Sequence, residues 1–352
     1  MAKGVNLLLL IIIAFSIAFF FAANIGASGT AAAMGSVYGS GALNSRRLAV
    51  ILAAVFAVAG AILGGGEVVT TISKGIISSS SITVQVTVII LLSACTTLFI
   101  ANRMGIPLST SEVTVGSIVG AGLAGSGVYW QKVLFIVSTW LVIPFLAFAI
   151  AFVIGRLLSG KEDMWRRRWP RLIPRLLTIL LIIAGCYEAF SAGMNNVANA
   201  IGPLIGAGVI DTTSGIWIGS LFLAAGAITM GGKVLETNGK KITKMTLLQG
   251  SIVSFTSGSL IIGASVLGIP APLTQATTMA IIGVGTEKAG WHLFRKPVIK
   301  KIFAVWFFSP ISSLLMTLAL MQWLLYQSPA LIICVLASVL FAAYYKFFQK
   351  VW

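Results

Sequence analysis

The sequence predicts an all-α integral membrane protein built from two inverted-topology repeats with discontinuous or re-entrant helices. Three observations predict it: an apolar composition, a collinear internal repeat, and basic clusters confined to alternate loops. The 352 residues are 58% hydrophobic and 9% charged, which leaves too little polar surface to cover a soluble globule of this size. A bilayer core of about 30 Å takes roughly 17 to 25 apolar residues per helical crossing, and the chain supplies many such runs. The first, 5–23, is long, has Lys3 as the one charge before it and flows into further apolar sequence. It therefore reads as a retained helix rather than a signal peptide.

Three blocks of the first half recur in order in the second. Residues 26–43 (GASGTAAAMGSVYGSGAL) align without gaps on 193–210 (GMNNVANAIGPLIGAGVI) with six identities, all Gly or Ala. Residues 60–68 (GAILGGGEV) match 226–234 (GAITMGGKV) at six of nine positions, and 105–122 match 268–285 at seven of 18. A Trp-x-x-x-Pro pair then follows in each half, Trp140/Pro144 and Trp306/Pro310. Gly/Ala-rich sequence produces single matches by chance, but three collinear blocks with shared Pro and Trp indicate duplication.

Loop charges set the relative orientation, because Lys and Arg collect on the cytoplasmic side. Each basic loop faces a poor counterpart in the other half: Arg46 and Arg47 against Thr212 and Thr213, Lys240, Lys241 and Lys244 against Lys74 alone, and Arg295 to Lys301 against Lys132 alone. The densest cluster, Arg156 to Arg175, joins the halves, whereas 322–328 has no base. Opposed halves follow. Placing these loops inside gives 11 crossings, near 5–23, 48–65, 83–101, 109–125, 132–155, 176–190, 215–231, 247–267, 272–287, 302–326 and 331–349, with 26–43 and 193–210 as re-entrant segments. The N-terminus is then outside and the C-terminus cytoplasmic. The organisation is a first repeat over 1–157, a basic loop over 158–175, a second repeat over 176–326 and an added helix over 327–352.

Composition also excludes function classes. The net charge of +16 sits in short clusters between apolar runs, as topogenic loops require, and no nucleic-acid-binding motif accompanies it. Cys95, Cys186 and Cys334 are isolated in apolar stretches, so they read as packing residues rather than metal or redox centres. One His and scattered carboxylates are poor equipment for hydrolysis, so the expectation is a transporter that is not an enzyme and needs no cofactor.

Inverted repeats place substrate near the midplane, where discontinuous helices of both halves meet, and irregular backbone survives there only around a protein-lined cavity. A tetrahedral oxyanion suits helix N-termini supplemented by hydroxyl and amide donors. Pro107 followed by Ser109, Thr110 and Ser111 has that composition: proline fits a first turn, and the hydroxyls donate without carrying charge. The second copy keeps Thr274 and Gln275 but has Pro272 and Leu273 in place of Ser109 and Thr110. In the glycine-rich pair the balance reverses, with Asn195, Asn196 and Asn199 standing against Ser28, Gly29 and Ala32. Ser117, by contrast, reads as helix packing.

These blocks resemble the inorganic phosphate transporter family, whose signature runs GANDVANAFGTSVGSGAL in both halves, followed by a GGKV-type segment and a Pro-x-Ser-Ser/Thr-Thr-His/Gln segment. The resemblance spans nearly the whole chain and is nearest to the short bacterial sulfate permease branch, which lacks the large central insertion of eukaryotic members. It implies an inverted repeat with broken helices around one anion site. The signature Asn-Asp pair falls on Ser28 and Gly29 and on Asn195 and Asn196, so both aspartates are missing. The later Asn is kept as Asn199, and the hydroxyl segment falls on Ser109 to Glu112 and on Pro272 to Gln275. In the family these positions bind phosphate and coupling cations.

The missing aspartates point to sulfate. Phosphate near neutral pH keeps a proton that a carboxylate can accept, whereas sulfate offers lone pairs alone and is repelled by a buried carboxylate. Thiosulfate or molybdate fit the same argument. The expectation is therefore sulfate import by H+ or Na+ symport, with phosphate transport or an uncoupled anion channel as alternatives and a homodimer as a candidate assembly. Among the eight acidic residues, Glu67, Glu112, Glu188, Glu236 and Glu287 lie in or at the ends of apolar segments, where ionisable groups are functional candidates. Glu112 occupies the family's His/Gln position and is the first choice for a proton-carrying or gating group. Glu67 and Lys233, equivalent and opposite in sign, are expected to pair near the inversion axis, with Glu236 as a competing partner of Lys233.

Overall fold

A computed structural model describes residues 6–78, 81–237, 239, 242 and 244–327, all helices, turns and loops. The expected crossing at 331–349, the added segment from 328 onward, and Lys240 and Lys241 lie outside the described residues.

The first half opens with α1 (Leu7–Ile25), which runs through a π turn at Gly26–Thr30 into α2 (Ala31–Ala33) and then α3 (Gly35–Gly39). It continues with α4 (Arg46–Gly64), α5 (Gly66–Lys74), α6 (Val84–Met104), α7 (Thr110–Ala121) and α8 (Trp130–Leu157). The basic connection folds as α9 (Lys161–Arg168). The second half is α10 (Leu172–Gly206), α11 (Thr212–Met230), α12 (Gly232–Glu236), α13 (Leu247–Val266), α14 (Leu273–Ala289) and α15 (Pro297–Leu324).

Local chemistry starts these helices. Ser45, Thr83, Ser109 and Asp211 each accept a backbone N–H of the following turn, and Thr246 with Gln249 closes a full capping box. The N–H of Ser214 donating to Asp211 holds that carboxyl below the usual carboxylate range. Glu162 of α9 pairs with Arg166 at 2.6 Å and accepts Leu248 N at 3.2 Å, so the basic connection caps α13 from outside.

Among the described residues, eight helices are long and apolar enough to span a bilayer. Their outer faces carry exposed Leu134, Leu141, Phe145, Ile179, Leu221 and Phe307, an apolar belt that only lipid covers comfortably.

Two expectations are corrected. Residues 26–43 and 193–210 are not separate re-entrant segments: helix persists from Leu7 to Ala33, and 193–206 is the C-terminal part of the 35-residue α10. Their glycines serve close packing rather than a break. A Cβ at Gly26 would fall on Leu223 O and one at Gly193 on Ala57 O, while the helical ladder continues. The real discontinuities are at Gly105 and Gly268, left-handed at φ 68° and 70°, where α6 and α13 stop and extended Pro-containing links lead to α7 and α14. These two helices, expected as crossings 109–125 and 272–287, run over 110–126, where α7 continues through a π turn at Gly122–Ser126, and over 273–289, about 25 Å each at 1.5 Å per residue, the short end of what a crossing takes.

The two halves exchange partners reciprocally. Gly60 lies against Phe190 O as Gly226 lies against Ala23 O, and each residue here is the repeat equivalent of its counterpart. Trp140 Nε1 donates to Pro270 O at 3.0 Å, and Trp306 Nε1 to Pro107 O at 3.1 Å. Ser111 Oγ donates to Ala271 O at 3.2 Å, and Thr274 Oγ1 to Leu108 O at 2.9 Å. The core is thus woven from both halves, and the extended links of α7 and α14 sit side by side at its centre.

Candidate functional site

Ten residues expected at the site converge in the interior. Ser28, Ser109, Thr110, Ser111, Asn195, Asn196, Asn199, Thr274 and Gln275 are all buried, as is Gly29. Four elements position them: the π turn after α1, the starts of α7 and α14, and the middle of α10.

Asn195 organises the framework. Its Nδ2 donates to Ser265 Oγ at 2.9 Å and Ile269 O at 3.0 Å, while its Oδ1 accepts Ala271 N at 3.0 Å and Ser111 Oγ at 3.3 Å. The bonds to Ile269 O and Ala271 N pin the link before α14, while those to Ser265 and Ser111 tie Asn195 to α13 and α7. Asn196 and Asn199, one turn apart, reach the start of α7: Thr110 Oγ1 donates to Asn196 Oδ1 at 2.9 Å, and Asn199 Nδ2 donates to Thr110 Oγ1 at 3.2 Å and Ser111 Oγ at 3.3 Å. Ser28 Oγ donates to Leu108 O at 3.3 Å.

Several groups are left available. Asn196 Nδ2, Asn199 Oδ1 and Thr30 Oγ1 are buried without a hydrogen-bond partner, a costly state for a polar atom unless something else fills it. A Cβ on Gly29 would lie 2.6 Å from Asn196 Nδ2, so the absence of a side chain at Gly29 makes room for that donor. Ser109 caps only the N–H of Glu112, and the first N–H groups of any helix lack intrahelical acceptors, so Thr110 and Ser111 present free donors. The ring is neutral, with no basic side chain hydrogen-bonded into it among the described residues.

Glu112 stands at the rim. Gln275 Nε2 donates to its Oε1, Oε2 has no partner, and the pair lines a groove of about 580 Å³ between α8 and α15 together with Trp140, Trp306 and the outward-facing Leu141, Phe145 and Phe307. The remaining charged candidates are elsewhere, and the expected Glu67–Lys233 pair does not form. Lys233 Nζ donates to Arg103 O at 3.2 Å beside Gly105, whereas Glu67 O lies beside Gly268. Equivalent positions fall at opposite ends of the reciprocal arrangement, not at its axis. Glu236 pairs with Arg46 at 3.3 Å rather than with Lys233.

Sequence reasoning missed Ser265 and the carbonyls of Leu108, Ile269 and Ala271, which carry no side-chain signature. It grouped Glu188 with four other membrane carboxylates without a partner. The structure gives it two, Ser257 Oγ at 2.7 Å and Thr277 Oγ1. The conserved spacing of Trp140 and Trp306 in the repeat was the available sign that the links are tied across halves.

Comparison with known proteins bears on the family and the fold. Residues 25–317 match the model of the phosphate transporter family. The sulfate permease CysP of Bacillus subtilis (strain 168) is 46% identical over 324 residues, 92% of this chain and 90% of its own. A solved structure titled "The sodium-dependent phosphate transporter" superposes with a TM-score of 0.80 at 25% identity, covering 90% of this chain and 99% of that one.

Proposed function

Because the chain belongs to the phosphate transporter family, a multi-pass membrane protein of an anion-permease lineage, we propose that it imports sulfate by ion-coupled alternating access. The observation that carries this reading is the neutral polar ring: the starts of α7 and α14 and the amides of Asn195, Asn196 and Asn199 lie together in the buried core, with Asn196 Nδ2 an unpartnered donor and Gly29 and Asn196 standing where the resemblance places aspartates. Helix N-termini and neutral donors stabilise a dianion, and a ring without a carboxylate offers the proton of phosphate no charged acceptor. Thiosulfate and molybdate meet the same requirements. The similarity to a sulfate permease over nine-tenths of both chains supports the same choice.

The reciprocal contacts support two inverted repeats meeting at this ring. The burial of every ring residue fits an occluded state, and opening toward either side would come from movement of α7 and α14 at the Gly105 and Gly268 turns. Glu112, bonded to Gln275 beside the ring, is the candidate gating group. Phosphate is the alternative substrate and Na+ the alternative coupling ion to H+, since the superposed structure is titled a sodium-dependent phosphate transporter.

Uptake of labelled sulfate and phosphate into proteoliposomes under imposed proton or sodium gradients tests the reading. Concentrative, gradient-dependent sulfate uptake is expected. Concentrative uptake of phosphate without sulfate contradicts the substrate, and sulfate flux indifferent to both gradients contradicts symport.

A further inference from the structure

The polar cluster around Glu188 lies outside the donor ring and has no task in the transport scheme above. Glu188 is in the middle of α10 and 0% exposed. Ser257 Oγ of α13, at 2.7 Å, and Thr277 Oγ1 of α14 both donate to Oε1, while Oε2 has no partner. Behind them Ser254 Oγ bonds Ser36 Oγ of α3 at 2.6 Å.

No base opposes this carboxylate among the described residues. Helix α13 has no ionisable side chain, and on α14 Glu287 follows Thr277 by ten residues. Arg46 and Arg47 open α4, far along that helix from Gly60, which meets Phe190 O beside Glu188. On α3 the titratable residue is Tyr38. On α10 itself the neighbours are Cys186 and Tyr187, whose hydroxyl engages Ser259 at 3.2 Å.

Both hydroxyls have a second acceptor. Ser257 Oγ is 2.8 Å from Val253 O, and Thr277 Oγ1 is 3.0 Å from Leu273 O. Each hydrogen can point to the carboxylate when it is ionised, or turn to the helix carbonyl and leave an oxygen lone pair for a carboxyl O–H. The cluster therefore accommodates both protonation states of Glu188. It suits a metal ion less well: hard cations take about six oxygens, and transporters commonly recruit unwound backbone carbonyls for them, but α10, α13 and α14 are continuous here.

We propose that Glu188 is the protonation site that couples proton movement to oxyanion transport: it takes up one proton from the outer water when the oxyanion binds and releases it to the cytoplasmic water when the oxyanion leaves. This rests on the oxyanion reading of the ring. Glu188 precedes Asn195 by seven residues, about 10 Å along a helix, and Thr277 follows Thr274 by one turn. At that distance and an effective dielectric of about 20, an ionised Glu188 weakens binding of a dianion on the order of a hundredfold. Linkage makes the effect reciprocal, so sulfate binding draws a proton onto Glu188.

The test is calorimetric sulfate binding to the purified full-length protein across a pH series, for wild type, E188Q and E112Q. Wild-type affinity should rise on acidification by on the order of a hundredfold. E188Q should bind sulfate tightly at every pH with that slope removed, whereas E112Q, which alters the rim group bonded to Gln275, should still show a pH slope whatever it does to the affinity itself. A wild-type slope persisting in E188Q, or a slope lost only in E112Q, overturns the assignment. If E188Q does not yield folded protein, T277V decides: losing one donor to the ionised form should move the midpoint of the slope to higher pH, and an unmoved midpoint overturns the proposal. Sulfate binding that is flat with pH in wild type refutes the coupling role while leaving the oxyanion reading intact, whereas no sulfate binding at any pH refutes both.

Discussion

The links 107–112 and 270–275 occupy equivalent places and do unequal work. Each is tied by a tryptophan of the other half to the carbonyl of its proline, Trp306 to Pro107 and Trp140 to Pro270, and each follows a left-handed glycine. Beyond that frame they diverge. The first link starts its helix with Ser109, Thr110 and Ser111, of which Thr110 and Ser111 meet the amides of α10. The second has Pro272 and Leu273 there and is itself held by Asn195. The contacts that shape the two links are shared, whereas the side chains that start the two helices differ.

The largest expected effect comes from removing the holder of the second link. Asn195→Ala frees Ala271 N–H and Ile269 O in a buried setting, which costs about 3 kcal/mol of stability and should abolish uptake. Ser28→Ala, at the equivalent position, loses one hydrogen bond and about 1 kcal/mol. Thermal unfolding of both variants in detergent, with parallel uptake, measures the gap, and equal losses would break the comparison.

Thr110→Val should raise the KM for sulfate on the order of tenfold, because its hydroxyl orders two amides, whereas Thr274→Val, whose hydroxyl meets a backbone carbonyl, should raise it about twofold. Concentration-dependent uptake decides. Trp140→Phe and Trp306→Phe probe what is shared: each removes one indole hydrogen bond worth about 1 kcal/mol, and their unfolding temperatures should fall equally. Unequal shifts would show that the frame too has diverged. The smallest effect is at the helix start, where Ser109→Ala removes a single cap worth about 1 kcal/mol and should change uptake less than Thr110→Val does.

The sequence made legible what depends on residue type. Apolar runs, the duplicated blocks and the asymmetry of hydroxyls and amides all lead to the ring that the fold assembles. It misread glycine. A glycine at Gly26 or Gly193 that lets two helices touch looks the same in sequence as a glycine that ends a helix, so close packing was read as re-entrance. The turns at Gly105 and Gly268 differ only by the proline two residues later. The Glu67–Lys233 pair failed for a geometric reason: Lys233 packs beside Gly105 and Glu67 beside Gly268, so equivalence in sequence does not bring the two side chains together. The backbone carbonyls of Leu108 and Ala271 had no sequence signal, because any residue supplies one.

The central claim is that a ring without carboxylates selects a fully deprotonated oxyanion. Asn196→Asp tests it most directly, since it returns to the ring the acid that the resemblance expects there. Proteoliposomes carrying this variant and the wild type would be compared for the ratio of sulfate to phosphate uptake at neutral pH. A carboxylate beside a bound dianion is disfavoured by at least about 2 kcal/mol at an effective dielectric of about 20, so the ratio should fall on the order of thirtyfold or more in favour of phosphate. A ratio unchanged from wild type, with uptake still measurable, would contradict the account.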